Sequence, residues 1–422
     1  MLKPPLSLLP YDLLEHIMEC VASGSGASTL EDLCNLSLAD RAFTDLCQNH
    51  IFRKLKIGDI SDSKDELRDE LAKIRKMLSK TPSIYGRVRI FQLSILEKRN
   101  RWLFKSKTLT EILLKLGTSQ VPPHTLRLRA SYGFQDPVLA VYRLRQTFFS
   151  RTLTTLHLWD SANVVLDVVT ALNDYEDFSL CTEYTPAALE TFRYRTLSHS
   201  IVKEMVKPPP IFPTPVVVWS SLRVLEVSPF EKDEMSYLQR IMDAACDTLE
   251  ELHLKHVRTV LRDTKQLPLA SLVELSRTTR LRTIALDVIM RCALPNPKIL
   301  EDINTVLSTI PASNAVKYLS FKFTIFDQHP FAECVEQDWS GFCREVIRIA
   351  GGERLQLDMN MNIFHRRADR TNSHGGEALY QRMAENLASL RSSPTICLRI
   401  DNPTFLEAGL DGASEPPECA AM

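Results

Sequence analysis

Apolar residues recur along this chain in two rhythms. Up to about residue 57 they fall at three- and four-residue intervals, and from about residue 84 they alternate with polar residues in short phrases separated by helical stretches. At the start, Leu9, Leu13, Leu14, Ile17, Met18 and Val21 share one wide helical face around Pro10. Proline's preset φ and missing N–H suit a first turn, and Asp12 lies where the helix dipole favours an anion. Ser28 and Glu31, three apart as in a capping box, announce a second helix carrying Leu30, Leu33 and Leu36. A third follows Asp40 as N-cap, with Phe43, Leu46, Cys47, His50 and Ile51 on one face. Three short helices bury too small a fraction of their chain to cover this much apolar surface alone, so some of it requires a partner.

Beyond an acidic-then-basic helical stretch, "DELRDELAKIRKML", a phrase of the form L-x-x-L-x-L recurs, as in "LTTLHLWD" at 153 and "LEELHLKH" at 249. Its middle anchors are Val88, Leu126, Leu156, Phe192, Leu225, Leu252, Ile284, Leu319, Leu355 and Leu398, spaced 27 to 43 residues apart. Helical signals fill the intervals: "TLTEILLKL" with Thr108 and Glu111 as a capping box, "DPVLAVYRLRQTFF", "PKILEDINTVLSTI", and "EQDWSGFCREVIRIAGG" closing on glycine. Strand and helix alternating at this loose period predict an α/β fold, an irregular leucine-rich-repeat-like solenoid with parallel strands on its concave face and helices on its convex face. A doubly wound α/β domain would carry a glycine-rich phosphate turn after its first strand, and neither GxGxxG nor GxxxxGK[ST] occurs. The expected organisation is a helical module at 6–57, a helical linker at 58–83, the solenoid at 84–403 and a disordered acidic tail at 404–422.

Period 2 within the phrases sorts inward from outward side chains. The outward set of the first units includes Arg89, Arg127, Arg129, Trp159, Arg193 and Arg195: five arginines and no acid. These are candidate substrate-binding residues. Arginine forks suit carboxylate or phosphate, so an acidic or phosphorylated segment is one reading, and a solvated face whose arginines pair with nearby loops is the other.

Lys plus Arg number 51 against 52 for Asp plus Glu, which gives no overall pull toward nucleic acid or anionic membrane, and neither is expected as a partner. The ten cysteines form no CxxC, so a zinc ribbon is not expected and free thiols in a reducing compartment are. No stretch reaches the roughly 20 apolar residues of a membrane span, and no leader pattern opens the chain, so the expected location is cytoplasmic or nuclear. GxSxG and HExxH are absent, and His253 and His256 would point to opposite faces of a strand. No catalytic residue, metal or cofactor is expected.

The opening "LLPYDLLEHIMECV" with "LCNLSLADRAFTDLCQNHIFRKLKI" resembles the F-box, in the form abundant in fungal proteins. Phe43 stands where that family often has Trp, and the loop between the first two helices is longer than usual. The resemblance implies docking on the Skp-type adaptor of a cullin–RING ubiquitin ligase. By position the adaptor-binding residues would be Leu9, Pro10, Leu13, Leu14, Ile17, Leu33, Leu36, Leu38 and Phe43. Joined to a leucine-rich-repeat body, it implies a non-catalytic substrate receptor of an SCF-type ligase, whose repeat surface holds a target protein. The alternative is a leucine-rich-repeat interaction scaffold unconnected with ubiquitination.

Overall fold

In most of the described strands the apolar side chains fall at every second position and are buried, while most of the residues between them remain partly exposed. Among the described residues this alternation covers one face of a parallel sheet and leaves much of the other partly exposed, although Ser94, Thr125, His157 and Thr324 on it are buried. The computed structural model describes residues 10–22, 28–58, 63–95, 101–130, 152–160, 186–194, 199–207, 215, 217–228, 232–258, 273–291, 299–327, 338–365, 381–401 and 404–407. It is α/β, with a large parallel sheet, and divides into two compact units, Met1–His157 with Leu166–Ala187, and Leu158–Val165 with Ala188–Met422. No described helix is long and apolar enough to cross a membrane.

The first unit opens with helices α1 (Tyr11–Ala22), α2 (Ser28–Ala39) and α3 (Arg41–Ile51). Strands β1 (Lys54–Ile57), β2 (Ile90–Ile95) and β3 (Thr125–Ala130) then pair in parallel, Leu55 beside Phe91 and Phe91 beside Leu126. Strand β4 (Thr155–Asp160) begins in this unit. Helix α4 (Lys64–Lys80) is held at its start by a capping box between Ser63 and Glu66. Helix α5 (Lys107–Gly117) is capped by Ser106, whose hydroxyl accepts from Leu109 N, rather than by Thr108.

Three boundaries differ from the sequence reading. The segment 58–83 is not a linker: Leu67, Leu71 and Leu78 of α4 are buried, and α4 packs on β1 and α5. Residues 54–57, assigned to the helical module, are the first strand. The first anchor is Phe91, which the register aligns with Leu126; Val88 is buried in the loop ahead of β2.

The second unit contains β5 (Thr191–Tyr194), β6 (Val224–Val227), β7 (Glu251–Arg258), β8 (Thr283–Arg291), β9 (Tyr318–Asp327), β10 (Leu355–His365) and β11 (Ile396–Ile400), paired in parallel in that order. Its helices include α6 (His199–Val206), α7 (Lys232–Ala244), α8 (Ile299–Ser308) and α9 (Trp339–Ala350). Gly351, at φ 54°, closes α9 in the left-handed conformation that its glycine signal predicts. Phe321, Phe323, Trp339 and Phe342 interlock largely edge-to-face in the core between β9 and α9. Here Leu357, two residues beyond Leu355, is the anchor aligned with Leu319 and Leu398.

The expected disordered tail begins with a strand, β12 (Thr404–Glu407). Strand β10 outruns β11, whose pairing stops at Met359, and β12 pairs the leftover edge from Asn362 to His365. Unpaired strand edges carry unsatisfied amides and carbonyls, and the backbone of β12 covers this one. The rest of the tail and the "DPVLAVYRLRQTFF" segment lie outside the described residues.

One hydrogen-bond device recurs where strands begin. The carbonyl of the residue just ahead of a strand accepts two successive amides from the next strand. Arg53 O receives Arg89 and Ile90 N at 2.8 and 2.9 Å, Arg89 O receives His124 and Thr125 N, and His124 O receives Thr154 and Thr155 N. The second unit repeats it at Glu190, Arg223, Glu250 and Arg282.

Gly58 closes β1 at φ 79°, and an added Cβ there would collide with Ser94 O of β2. Gly58→Ala is expected to destabilise the first unit by about 1–3 kcal/mol, through backbone strain plus that collision. The denaturant midpoint of the full chain measures it, and an unchanged midpoint would show that the backbone relaxes there without cost.

Candidate functional site

Two surfaces combine chemistry with exposure: the flanks of α1 and α2, and the open face of the sheet. The first begins with a closed core. Leu14, Met18, Leu33, Phe43, Leu46 and Cys47 pack together, with Val21, Leu36 and Ile51 against them. Three of the expected docking residues, Leu14, Leu33 and Phe43, are therefore turned inward. They hold the helices together and offer nothing to a partner, because they lie on the stripe facing the other two helices.

What remains outside is unusual for a helical module with a core of its own. Tyr11 is 61%, Leu13 50%, Ile17 37%, Leu30 56% and Leu38 85% exposed. Pro10 is exposed as well, and Leu36 is partly buried. Leu9 lies outside the described residues. Leu13 and Ile17 follow at i, i+4 on α1, and Leu30, Cys34 and Leu38 at i, i+4, i+8 on α2, each set flanking its helix's core stripe. Tyr11 and Leu30, outside the expected docking set, are exposed on the same helices. The signal for Leu30 was a second apolar stripe on α2, offset from Leu33 and Leu36. Asp12, Glu15, Glu19, Glu31 and Asp32 border these stripes, with no Lys or Arg between residues 10 and 40. The module is fastened to the unit through α3. Arg87 donates to Asp45 O at 3.0 Å, Asn49 Oδ1 at 2.8 Å and Asp45 Oδ1 at 3.0 Å. The exposed flanks of α1 and α2 take no part in that attachment.

On the sheet, the expected arginine strip does not hold together. Arg89 sits ahead of β2, half-buried, and donates to the carbonyls of Gly86 at 2.7 Å and Val121 at 3.2 Å. It fastens loops rather than lining the strand face. Arg193 Nε lies 3.5 Å from Glu226 Oε2, an ion-pair separation too long for a well-formed hydrogen bond. Lys255 bonds the same carboxylate at 2.6 Å. Burial would raise the Glu226 pKa, but Lys255 and Arg193 outweigh it and hold the carboxyl below its ordinary range. Asp287 and Lys322 pair likewise at 3.5 Å, so this part of the second unit's open face is charge-balanced. Arg195 and the Trp159 side chain lie outside the described residues. His157, expected to point outward, is buried.

In the first unit, Arg127 and Arg129 do stand on the open face, beside Gln92 and Ser94 of β2 respectively. Neither pairs with a carboxylate among the described residues, where no group of three or more His, Cys, Asp or Glu is placed to hold a metal ion. At the strand starts, His124 bonds Thr125 Oγ1 through Nδ1 at 3.0 Å. Burial first, then the charges of Arg53 and Arg89, hold its pKa below the ordinary 6.5. The unfolded chain therefore takes up this proton before the folded one as pH falls. Stability is full above about 6.5 and declines on acidification below it. His124→Asn is expected to remove that part of the pH dependence, read as the difference in denaturant midpoints between neutral and mildly acidic buffer. Parallel pH profiles for the two chains would show that His124 does not titrate differently on folding.

Compared with models of known protein families, with curated proteins and with solved structures, this chain matches none significantly.

Proposed function

We propose that this chain is a substrate-recognition subunit of a cullin–RING ubiquitin ligase. The α1–α2 face docks on a Skp-type adaptor and the open sheet face holds the target, while other subunits transfer the ubiquitin. One observation carries the reading: a three-helix module that already has a closed core still leaves Leu13, Ile17, Leu30 and Leu38 uncovered on two helical stripes. Covering a large apolar side chain stabilises a complex by roughly 1.5–3 kcal/mol, so four half-exposed ones supply a substantial interface centre. The F-box resemblance that includes Leu13, Ile17 and Leu38 supports the identity of the adaptor. The body is then an irregular leucine-rich-repeat solenoid, which the parallel strands and the recurring double acceptance at their starts support. Such a receptor works in cytoplasm or nucleus and performs no covalent step. It contributes proximity, raising the effective concentration of target lysines near the conjugating enzyme.

A second reading has its own observation. Arg87 ties α3 firmly to the start of the sheet, as a cap on a repeat array would be tied. The chain is then an interaction scaffold outside ubiquitination.

Leu13→Asp with Ile17→Asp, in the full chain coexpressed with a Skp-type adaptor, is expected to reduce adaptor capture at least about tenfold, or 1.4 kcal/mol. Because both side chains are exposed, the circular dichroism spectrum and melting temperature should not move. If the unmutated chain fails to retain the adaptor, the scaffold reading stands instead.

A further inference from the structure

The double acceptance at strand starts brings the residues that make it into line along the sheet, about 4.8 Å apart from strand to strand. In the second unit that line reads Glu190, Arg223, Glu250, Arg282, alternating in sign, and Arg223 forks onto Glu250 at 3.2 and 2.9 Å. In the first unit the same line reads Arg53, Arg89, His124, with no acid. Each of the latter two is opposed by its neighbours. After burial, Arg53 lowers the proton affinity of Arg89, and Arg53 and Arg89 lower that of His124.

The next positions along the strands deepen the imbalance. The register places Lys56, Gln92 and Arg127 side by side, and Ser94 beside Arg129. Lys54, although exposed, loses proton affinity to partial desolvation and then to Arg127 and Lys56. The Nε of Arg127 is enclosed and has no hydrogen-bond partner among the described residues. General basicity is not the cause, since the whole chain carries a formal charge of −1. The second unit pairs the charges on its strands, whereas in the first unit Arg127 and Arg129 have no carboxylate partner among the described residues.

We propose that the open face of the first unit's sheet, centred on Lys54, Arg127 and Arg129, binds the phosphate of a phosphorylated peptide segment. Two guanidinium forks and an ammonium suit a dianion with three acceptor oxygens better than a single carboxylate. Gln92 stands between them as a partly exposed neutral group, donating to the buried Ser94 Oγ at 3.3 Å. From β1 to β3 the patch is about 10 Å wide, the reach of one or two phosphates. A nucleic-acid strand would need a longer basic track, and the balanced pairs of the second unit do not supply one. The anion site stands on these residues alone. That the segment belongs to a ubiquitination target rests on the receptor reading.

The test uses the full chain and fluorescence anisotropy of a labelled glycine–alanine peptide bearing two phosphoserines, with its unphosphorylated twin and a short oligouridine as companions. The phosphopeptide should bind and its twin should not, and added salt should weaken the complex. Arg127→Gln with Arg129→Gln, and separately Lys54→Glu, should each weaken binding at least about tenfold. Lys54 is exposed, so its variant keeps the test decisive if the double variant misfolds. Lys322→Gln, on the balanced face, should leave binding unchanged. Adaptor capture, measured on the same preparations, should be untouched by all of them, which separates failure of this site from failure of the docking face. The proposal is overturned if the native chain ignores the phosphopeptide, if the Lys54 and Arg127/Arg129 variants bind it as well as the native chain does, or if oligouridine binds as tightly.

Discussion

The structure depends on one constraint: parallel strands must begin in step, or their alternating apolar side chains would leave the covered face. A shift of one residue turns every side chain to the opposite face, and parallel strands have no tight turn to set their register. This chain sets it with a backbone device, a carbonyl ahead of seven of its described strands that holds two successive amides where the next strand begins. Because the device uses main-chain groups only, it tolerates Arg, His and Glu at that position. Side chains there are left to answer electrostatic demands instead.

Those demands are met differently in the two units. Where Glu190, Arg223, Glu250 and Arg282 follow one another, the sheet edge holds cross-strand pairs that contribute to order without a net field. Glu226 does the same further along, accepting Lys255 while facing Arg193. In the first unit the equivalent positions are Arg53, Arg89 and His124, and after burial the neighbouring cations lower the proton affinity of Arg89 and His124. The contrast within one chain is more informative than either half, because backbone, strand direction and position are held constant while charge alone varies.

The helical module shows the same separation between what holds a structure and what it presents. Leu14, Met18, Leu33, Phe43, Leu46 and Cys47 close its core, and Arg87 anchors α3. The stripes of Leu13 with Ile17 and Leu30 with Leu38 serve neither task. Asp12, Glu15, Glu19, Glu31 and Asp32 border this exposed apolar surface, and in the proposed receptor they would form the charged rim of the adaptor interface.

Sequence alone determined the alternation of strand and helix, the inward anchors from Leu126 to Leu319, the three opening helices and the glycine that ends α9, since these are local consequences of period, capping and backbone conformation. It misplaced Val88, because Phe91 is equally apolar and only pairing with Leu126 decides which is the anchor. It treated α4 as a linker, because a charged amphipathic helix reads alike whether its leucines meet a sheet or water. It could not divide Leu13 from Leu14 or Leu30 from Leu33, neighbours in one apolar pattern whose roles diverge once α3 covers one side. Nor could it foresee that Glu226 would reach Arg193 and Lys255, or that β12 would pair the overhang of β10. Burial and charge pairing are set by which segments meet, and segments distant in the chain meet only in the folded molecule.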